Sequence, residues 1–335
     1  MVAFFIEGLK MESKMRFSRL GIFALLTLAV FLTTNCTYYD RIMSRKNLVD
    51  GSLAYKERKF DVAEQLFRQA AARDADGSTI EGKTAQLFLA RTLHSKFIGN
   101  RSDKSIADEA IKEYKKSLAV DKNDQSSYKA IASLYENLQR TDEWQQWVNE
   151  RANNADIKPQ FRAEALTSLA ARQNTCANEV TDTEETKKTV KKDGKDVFQF
   201  VKPASTEEFE KLKACVAKGT ELIDQAVALE PETVKNAGSI NAASLTDEQL
   251  KETNDLLKAF ESARSYKASL TIQAMRLAEM EGRGADRDRL RQEADQARAA
   301  FVSLSDVDKA LQAEIESRAA VREAEANANS ANTNR

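Results

Sequence analysis

Apolar residues in this chain recur mostly at three- and four-residue spacing, the period of a helix with one buried face. Ala63, Phe67 and Ala70 fall at i, i+4 and i+7, which predicts a helix whose buried stripe is made partly of small side chains. Leu89 and Ala90 belong to a second face, and Ala110, Tyr114, Ser117 and Leu118 to a third. Tyr128, Ile131, Ala132 and Tyr135 make the next, followed by Trp144 and Val148; Ala110 and Trp144 stand 34 residues apart. Pro159 opens a further helix, at a place where its missing N–H costs nothing, and that helix runs through Leu169 and Ala170. Its partner is expected to carry Ile223 and Ala226 and to end at Leu229, Glu230 and Pro231. A helical stretch follows over residues 246–281, with Leu250, Leu257, Phe260, Leu270 and Leu277 on its apolar face. Gly282 and Gly284 interrupt it, residues 285–304 make another helix, and Ser305 with Asp308 can cap a last one. From Asn327 the chain is mostly Asn, Ala, Ser and Thr, the composition of a disordered tail.

Two segments depart from this period. Residues 20–32 are apolar almost throughout, preceded by Arg16 and Arg19 and followed by Thr33, Thr34, Asn35 and Cys36. Crossing a bilayer as a helix takes about 20 apolar residues, whereas a secretory apolar core spans roughly 7–15. The second segment is polar, residues 177–205. Within it Asp193 and Gly194 supply the positive φ angles of a type I′ turn, and Val190, Val197, Phe198 and Phe200 flank them. A β-hairpin is expected there, with a disordered charged loop as the other reading.

Composition sharpens the class. Only 3 prolines and 11 glycines interrupt 335 residues rich in Ala, Glu, Lys, Leu, Gln and Arg, so the fold expected is all-α. The 51 basic residues are balanced by 52 acidic ones, which leaves no overall field to draw nucleic acid. His94 is the sole histidine, too little for a His-rich metal site or a catalytic triad. No phosphate-binding glycine loop occurs, and Glu184 and Glu185 lie in charged sequence better suited to solvent than to acid–base chemistry. No catalytic residue, cofactor, metal or small-molecule substrate is expected.

The positions of Gly51, Tyr55, Phe60, Ala63, Phe67 and Ala70, with the 34-residue spacing further on, resemble the tetratricopeptide repeat. The resemblance implies a right-handed solenoid of antiparallel helix pairs over residues 47–232. The second copy would be interrupted by about eight residues around 97–103, and the fourth by the insertion 177–205. Residues 233–326 would be either a degenerate further repeat or a helical cap. In this family the first helix of each pair lines a concave protein-binding surface. Carried over by register, it implies groove positions at Ser52, Tyr55, Lys56, Leu87, Arg91, His94, Lys129, Ser133, Glu136, Asn137, Glu164, Thr167 and Asn174, with partner contacts foremost at Tyr55, Lys56, Arg91, Lys129, Ser133, Asn137 and Asn174. Leu48 and Ser52 stand where the family's carboxylate clamp needs a lysine and an asparagine, so recognition of an acidic peptide terminus is not implied.

Residues 11–36 resemble a bacterial lipoprotein signal with the relaxed, spirochaete-type lipobox, in which Leu32 lies four places before Cys36. That implies cleavage of residues 1–35 (the true start being Met11 or Met15), a lipid on Cys36, and a short tether over 36–46. An ordinary signal cleaved near Cys36 and an uncleaved anchor are the other readings. Location would be the cell envelope, most simply the outer membrane, on its periplasmic face or at the surface. Export means an oxidising compartment, so the remaining pair, Cys176 and Cys215, points to one disulfide, or else to two buried free thiols. Together these resemblances imply a scaffold or assembly factor with an envelope protein as partner; the alternative is a surface adhesin that uses the hairpin as its contact.

Overall fold

The computed structural model describes residues 19–74 and 76–333, with side chains over 38–74 and 76–328. The expected signal over 1–35 and the lipid-bearing Cys36 thus lie outside the residues whose side chains are described. The described residues are 79% helical, and their single sheet has two strands, so the fold is all-α. None of the described helices is long and apolar enough to cross a membrane.

Two compact units divide between Asp121 and Lys122. The first holds α1 (Arg19–Lys56), α2 (Phe60–Ala72), α3 (Ile80–Gly99) and α4 (Lys104–Val120). The second holds α5 (Gln125–Asn137), α6 (Thr141–Asn153), α7 (Pro159–Thr181), strands β1 (Lys187–Lys192) and β2 (Lys195–Phe200), and α8 (Thr206–Ala228). It continues through the short α9 (Glu232–Lys235) and two 3₁₀ turns to α10 (Asp247–Met280) and α11 (Gly284–Thr333). The sequence places a boundary at 232; the structure places none there, because α10 packs against both α7 and α8 and shares their core.

Neighbouring helices approach closely because the residues at their contacts are small. Ala63, Ala70, Ala85, Ala90, Ala107 and Ala110 are wholly buried in the first unit, as are Ala163, Ala165, Ala170 and Ala226 in the second. Where even alanine is too large, glycine stands: a Cβ on Gly51 would meet the Phe67 ring at 2.8 Å, and one on Gly219 would meet Leu270 at 2.6 Å.

One turn recurs at three helix ends. Arg58, Gln139 and Gly282 all have positive φ. In each case this residue's N–H donates three residues back and the next residue's N–H five back: Lys59 to Ala54, Arg140 to Tyr135, and Arg283 to Ala278, all at 2.9 Å. This is the Schellman arrangement, which satisfies carbonyls orphaned at a helix end. The α10–α11 junction thus uses the same turn as α1–α2 and α5–α6. Two of the three turns place a long side chain in the left-handed region, so glycine did not mark them in the sequence.

Elsewhere the helix starts follow the sequence cues. Thr246 and Gln249 form a reciprocal capping box at the start of α10. Before α3, Asp74 accepts from the backbone and hydroxyls of Ser78 and Thr79. Burial alone would raise its carboxyl, but these donors outweigh burial and hold it at about 2.

Several expectations are corrected. The tether over 36–46 is continuous helix, part of α1. Phe97 is buried and closes α3, so the interruption in the second copy is mostly one more helical turn. Residues 177–181 belong to α7, and the insertion proper starts after Thr181. Ser305 caps nothing: α11 runs straight through it, Ser305 and Asp308 are buried, and Asn254 of α10 donates to Asp308 at 2.7 Å. Burial there pushes the Asp308 carboxyl up. The helix continues to Thr333, past the point where the sequence placed a disordered tail.

The expected hairpin is present, with Val190 opposite Val197 and Thr189 opposite Phe198 across the Asp193 and Gly194 turn. Phe200 anchors it in a core shared by Ala177, Val180, Leu212, Val216, Leu277 and Met280. The Arg276 guanidinium lies 4.6 Å from the Phe200 ring and pairs with Asp182. Cys176 and Cys215 are disulfide-bonded beside this core, with 6.1 Å between their Cα atoms. The bond joins α7 to α8 about one and a half turns before the end of α7, rather than at its last residue.

At the opposite end of α8, Glu230 takes a two-pronged bond from Arg264 of α10, both contacts at 2.8 Å, and Arg264 also donates to Ala300 of α11. Their side chains are only 7% and 17% exposed, so removing one partner strands the other charge. Glu230→Ala is expected to cost about 3 kcal/mol in urea unfolding; a loss under ~1 kcal/mol would mean the pair is effectively solvated.

Candidate protein-binding groove

In the second unit α5, α6 and α7 enclose an open groove of about 370 Å³. Its walls follow helical spacing on each element. Tyr128, Lys129, Ala132, Ser133 and Glu136 come from α5, Trp144 and Val148 from α6, and Glu164, Ser168, Ala171, Arg172 and Thr175 from α7. The floor is aromatic. Trp144 is 5% exposed, and the Arg172 guanidinium lies over its ring at 3.3 Å from the centroid while donating to Glu136 at 3.1 Å. At one end Tyr128 stacks on Trp147, with ring centroids 5.7 Å apart, and the Trp147 indole donates to the Tyr128 carbonyl.

Arg151 fixes that end from behind. Its guanidinium lies 4.5 Å from the Tyr128 centroid and 5.5 Å from that of Phe161, and donates to the Lys122 carbonyl and to Gln125, both at 2.7 Å. Burial pushes the Tyr128 phenol up, Arg151 opposes it, and Glu164 adds to the rise, so the phenol stays protonated at physiological pH. Lys129 forms an ion pair with Glu164, which also accepts from Gln125 at 2.5 Å. The groove is therefore a ledge of aromatic and small side chains rimmed by two ion pairs, Lys129 with Glu164 and Arg172 with Glu136. Rim pairs this exposed contribute about 0–1 kcal/mol and can be exchanged for partner contacts at small cost.

Of the residues carried over by register, Lys129, Ser133, Glu136 and Glu164 line this groove. Asn137 is one turn beyond and donates to the Ser133 carbonyl at 2.8 Å. Asn174 lies on α7 off the groove-lining face, and its side-chain oxygen is buried without a partner. In the first unit, Tyr55 and Arg91 meet through Phe88. Tyr55 packs edge-on against that ring, the Arg91 guanidinium lies 5.4 Å from its centroid, and the Tyr55 hydroxyl shares a 2.9 Å hydrogen bond with Ser95. Lys56 points elsewhere: it is exposed on the outer side of α1. His94 is half-buried edge-on against Tyr114, and burial pushes its imidazole down toward the neutral form.

Register reasoning missed Arg172, Trp144 and Tyr128 as groove residues. The signal was present on α7, where Glu164, Ser168, Ala171, Arg172 and Thr175 follow the i, i+4, i+7, i+8, i+11 series of a single face. Trp144 lies on α6, where the resemblance implies no partner contact. Among the described residues no group of three or more His, Cys, Asp or Glu side chains is placed to hold a metal ion.

The fold and site define an all-α protein with an open, polar-rimmed groove. No family model and no curated relative matches the chain.

Arg172 shields Trp144. In a Trp147→Phe background, Arg172→Ala is expected to increase acrylamide quenching of Trp144 and to lower stability by about 1 kcal/mol. Unchanged quenching would mean the guanidinium does not cover the ring in solution.

Proposed function

We propose that this chain is a lipid-anchored, non-catalytic scaffold or assembly factor of the bacterial cell envelope. It is held to the membrane through Cys36 and binds an envelope protein in the groove between α5, α6 and α7. The observation that carries this reading is the groove itself: an aromatic and small-residue floor under a rim of exchangeable ion pairs suits a protein surface better than an enclosed small molecule. Within this proposal the helix pairs are tetratricopeptide-like repeats of a right-handed solenoid. The shared turn at Arg58, Gln139 and Gly282 and the buried alanines at the helix contacts support that reading. The disulfide between Cys176 and Cys215 agrees with folding in an oxidising compartment, as export to the envelope requires.

A second reading has one observation in its favour. The hairpin presents Phe198, 61% exposed, and Val197, 37% exposed, beyond its buried anchor Phe200. An exposed apolar tip of this kind suits a surface adhesin or host-ligand binder, with the hairpin as the contact.

Affinity capture from detergent-solubilised envelopes tests the first reading. A defined protein partner is expected with the native chain and is expected to be lost when Lys129, Ser133 and Asn137 are changed together to alanine. Recovery of the same partner by the triple variant rules out the groove. Protease treatment of intact cells separates the two readings, since cleavage within residues 182–205 requires outward display and protection favours the periplasmic face.

A further inference from the structure

The outer side of α1 carries an apolar stripe that the groove does not use. Tyr38, Ile42, Val49 and Leu53 are 68%, 49%, 64% and 58% exposed. At 3.6 residues per turn they fall within about 60° of arc along a length of roughly 22 Å. Beside them on the same side stand Arg45, Lys46 and Lys56, all exposed and without an ion pair among the described residues. The contrast with the rest of the helix is sharp. Arg41 and Asp40, which face the body of the unit, are paired with Glu81 and Arg73. The inward side buries Ser44, Asn47, Leu48, Gly51 and Ala54 against α2 and α3. Isolated exposed apolar residues need no explanation, but four in register on one helix, edged by the cations Arg45, Lys46 and Lys56, form a coherent surface.

We infer that this face of α1 lies on an anionic phospholipid surface, with Tyr38, Ile42, Val49 and Leu53 entering the headgroup boundary and Arg45, Lys46 and Lys56 meeting lipid phosphates. An apolar stripe edged by basic side chains is the pattern by which helices bind in the plane of a bilayer. Charge complementarity favours this occupant, since each cation near such a surface gains attraction to it. A second copy of the stripe is disfavoured, because facing copies would bring three unpaired cations against three with no carboxylate inside the stripe. The nearest acids along α1, Glu57 and Asp50, stand about 40° and 60° round the helix from Leu53, beyond Lys46 at the edge of the stripe, and Glu57 is paired with Lys59. Continuity adds a further argument: Cys36, the proposed point of attachment, lies on the same helix two residues before Tyr38.

The inference deepens the proposed attachment through Cys36, giving the first unit a fixed face toward the membrane instead of a swinging tether. It is tested on the full chain reconstituted into vesicles of phosphatidylglycerol and phosphatidylethanolamine. Single cysteines at positions 42, 46, 49, 50, 53 and 57 carry an environment-sensitive fluorophore, and lipid-borne quenchers report contact. Quenching is expected to follow the helical period, about threefold stronger at 42, 49 and 53 than at 50 and 57. It should fall to the level of position 50 when Arg45 and Lys46 are both changed to Glu. Uniformly solvent-exposed labels on protein that sediments with the vesicles would overturn the inference while leaving attachment intact. Failure of the protein to sediment at all would count against both the attachment and the surface contact. Protection that appears in detergent and grows with protein concentration would identify a second copy as the occupant, and would equally overturn it.

Discussion

Close approach between antiparallel helices is the constraint on which the rest of this structure depends. Helix backbones can near one another only where side chains are small, and the contacts here are made by buried alanines and by Gly51 and Gly219. Larger residues at such points force the helices apart, at a typical cost of about 1–3 kcal/mol. Trp144 is the informative exception. It stands 34 residues after the wholly buried Ala110, and its ring turns to the groove floor under Arg172. The bulk that helix packing would refuse is accommodated beneath the Arg172 guanidinium, which leaves the ring only 5% exposed.

A second consequence follows at the far end of α7 and α8. Each runs 23 residues, well beyond the 13 of α5 and α6, and the extra turns need a core of their own. Phe200 from the hairpin and Leu277 and Met280 from α10 supply it. The disulfide beside that core joins residues 39 apart and restricts the unfolded chain, an effect worth about 4 kcal/mol in the chain-entropy model. The hairpin is therefore clamped at its base by Phe200, Arg276 and the Cys176–Cys215 link, while Val197 and Phe198 remain outside. The same arrangement ties α10 to the fourth helix pair and removes the domain boundary that a change in sequence register implied.

Much of the fold was legible because it is written in helical periodicity. Ala63, Phe67 and Ala70 are all fully buried, Pro159 does open α7, and the Asp193 and Gly194 turn does form the hairpin. What was not legible has physical causes. Arg58 and Gln139 adopt positive φ without being glycine, so those turns left no residue-type signature. Ser305 and Asp308 have the letters of a cap, yet Asn254 from a distant helix claims the carboxylate and buries both. Lys129, Ser133, Glu136 and Glu164, singled out from the sequence resemblance, do line the groove between α5, α6 and α7. Arg172 shares the α7 face of Glu164 and Ser168 and was legible by period, whereas the packing of Trp144 beneath it depends on contact between α6 and α7, which no single helical period encodes.

The central claim is that the floor and rim of the α5–α7 groove meet a protein partner in the envelope. A photo-crosslinking residue at position 133, activated in living cells and compared with one at position 198 on the hairpin, tests it most directly. The account predicts a single dominant crosslinked protein from position 133 and little from position 198. Crosslinks from position 198 alone, with none from position 133, would contradict it.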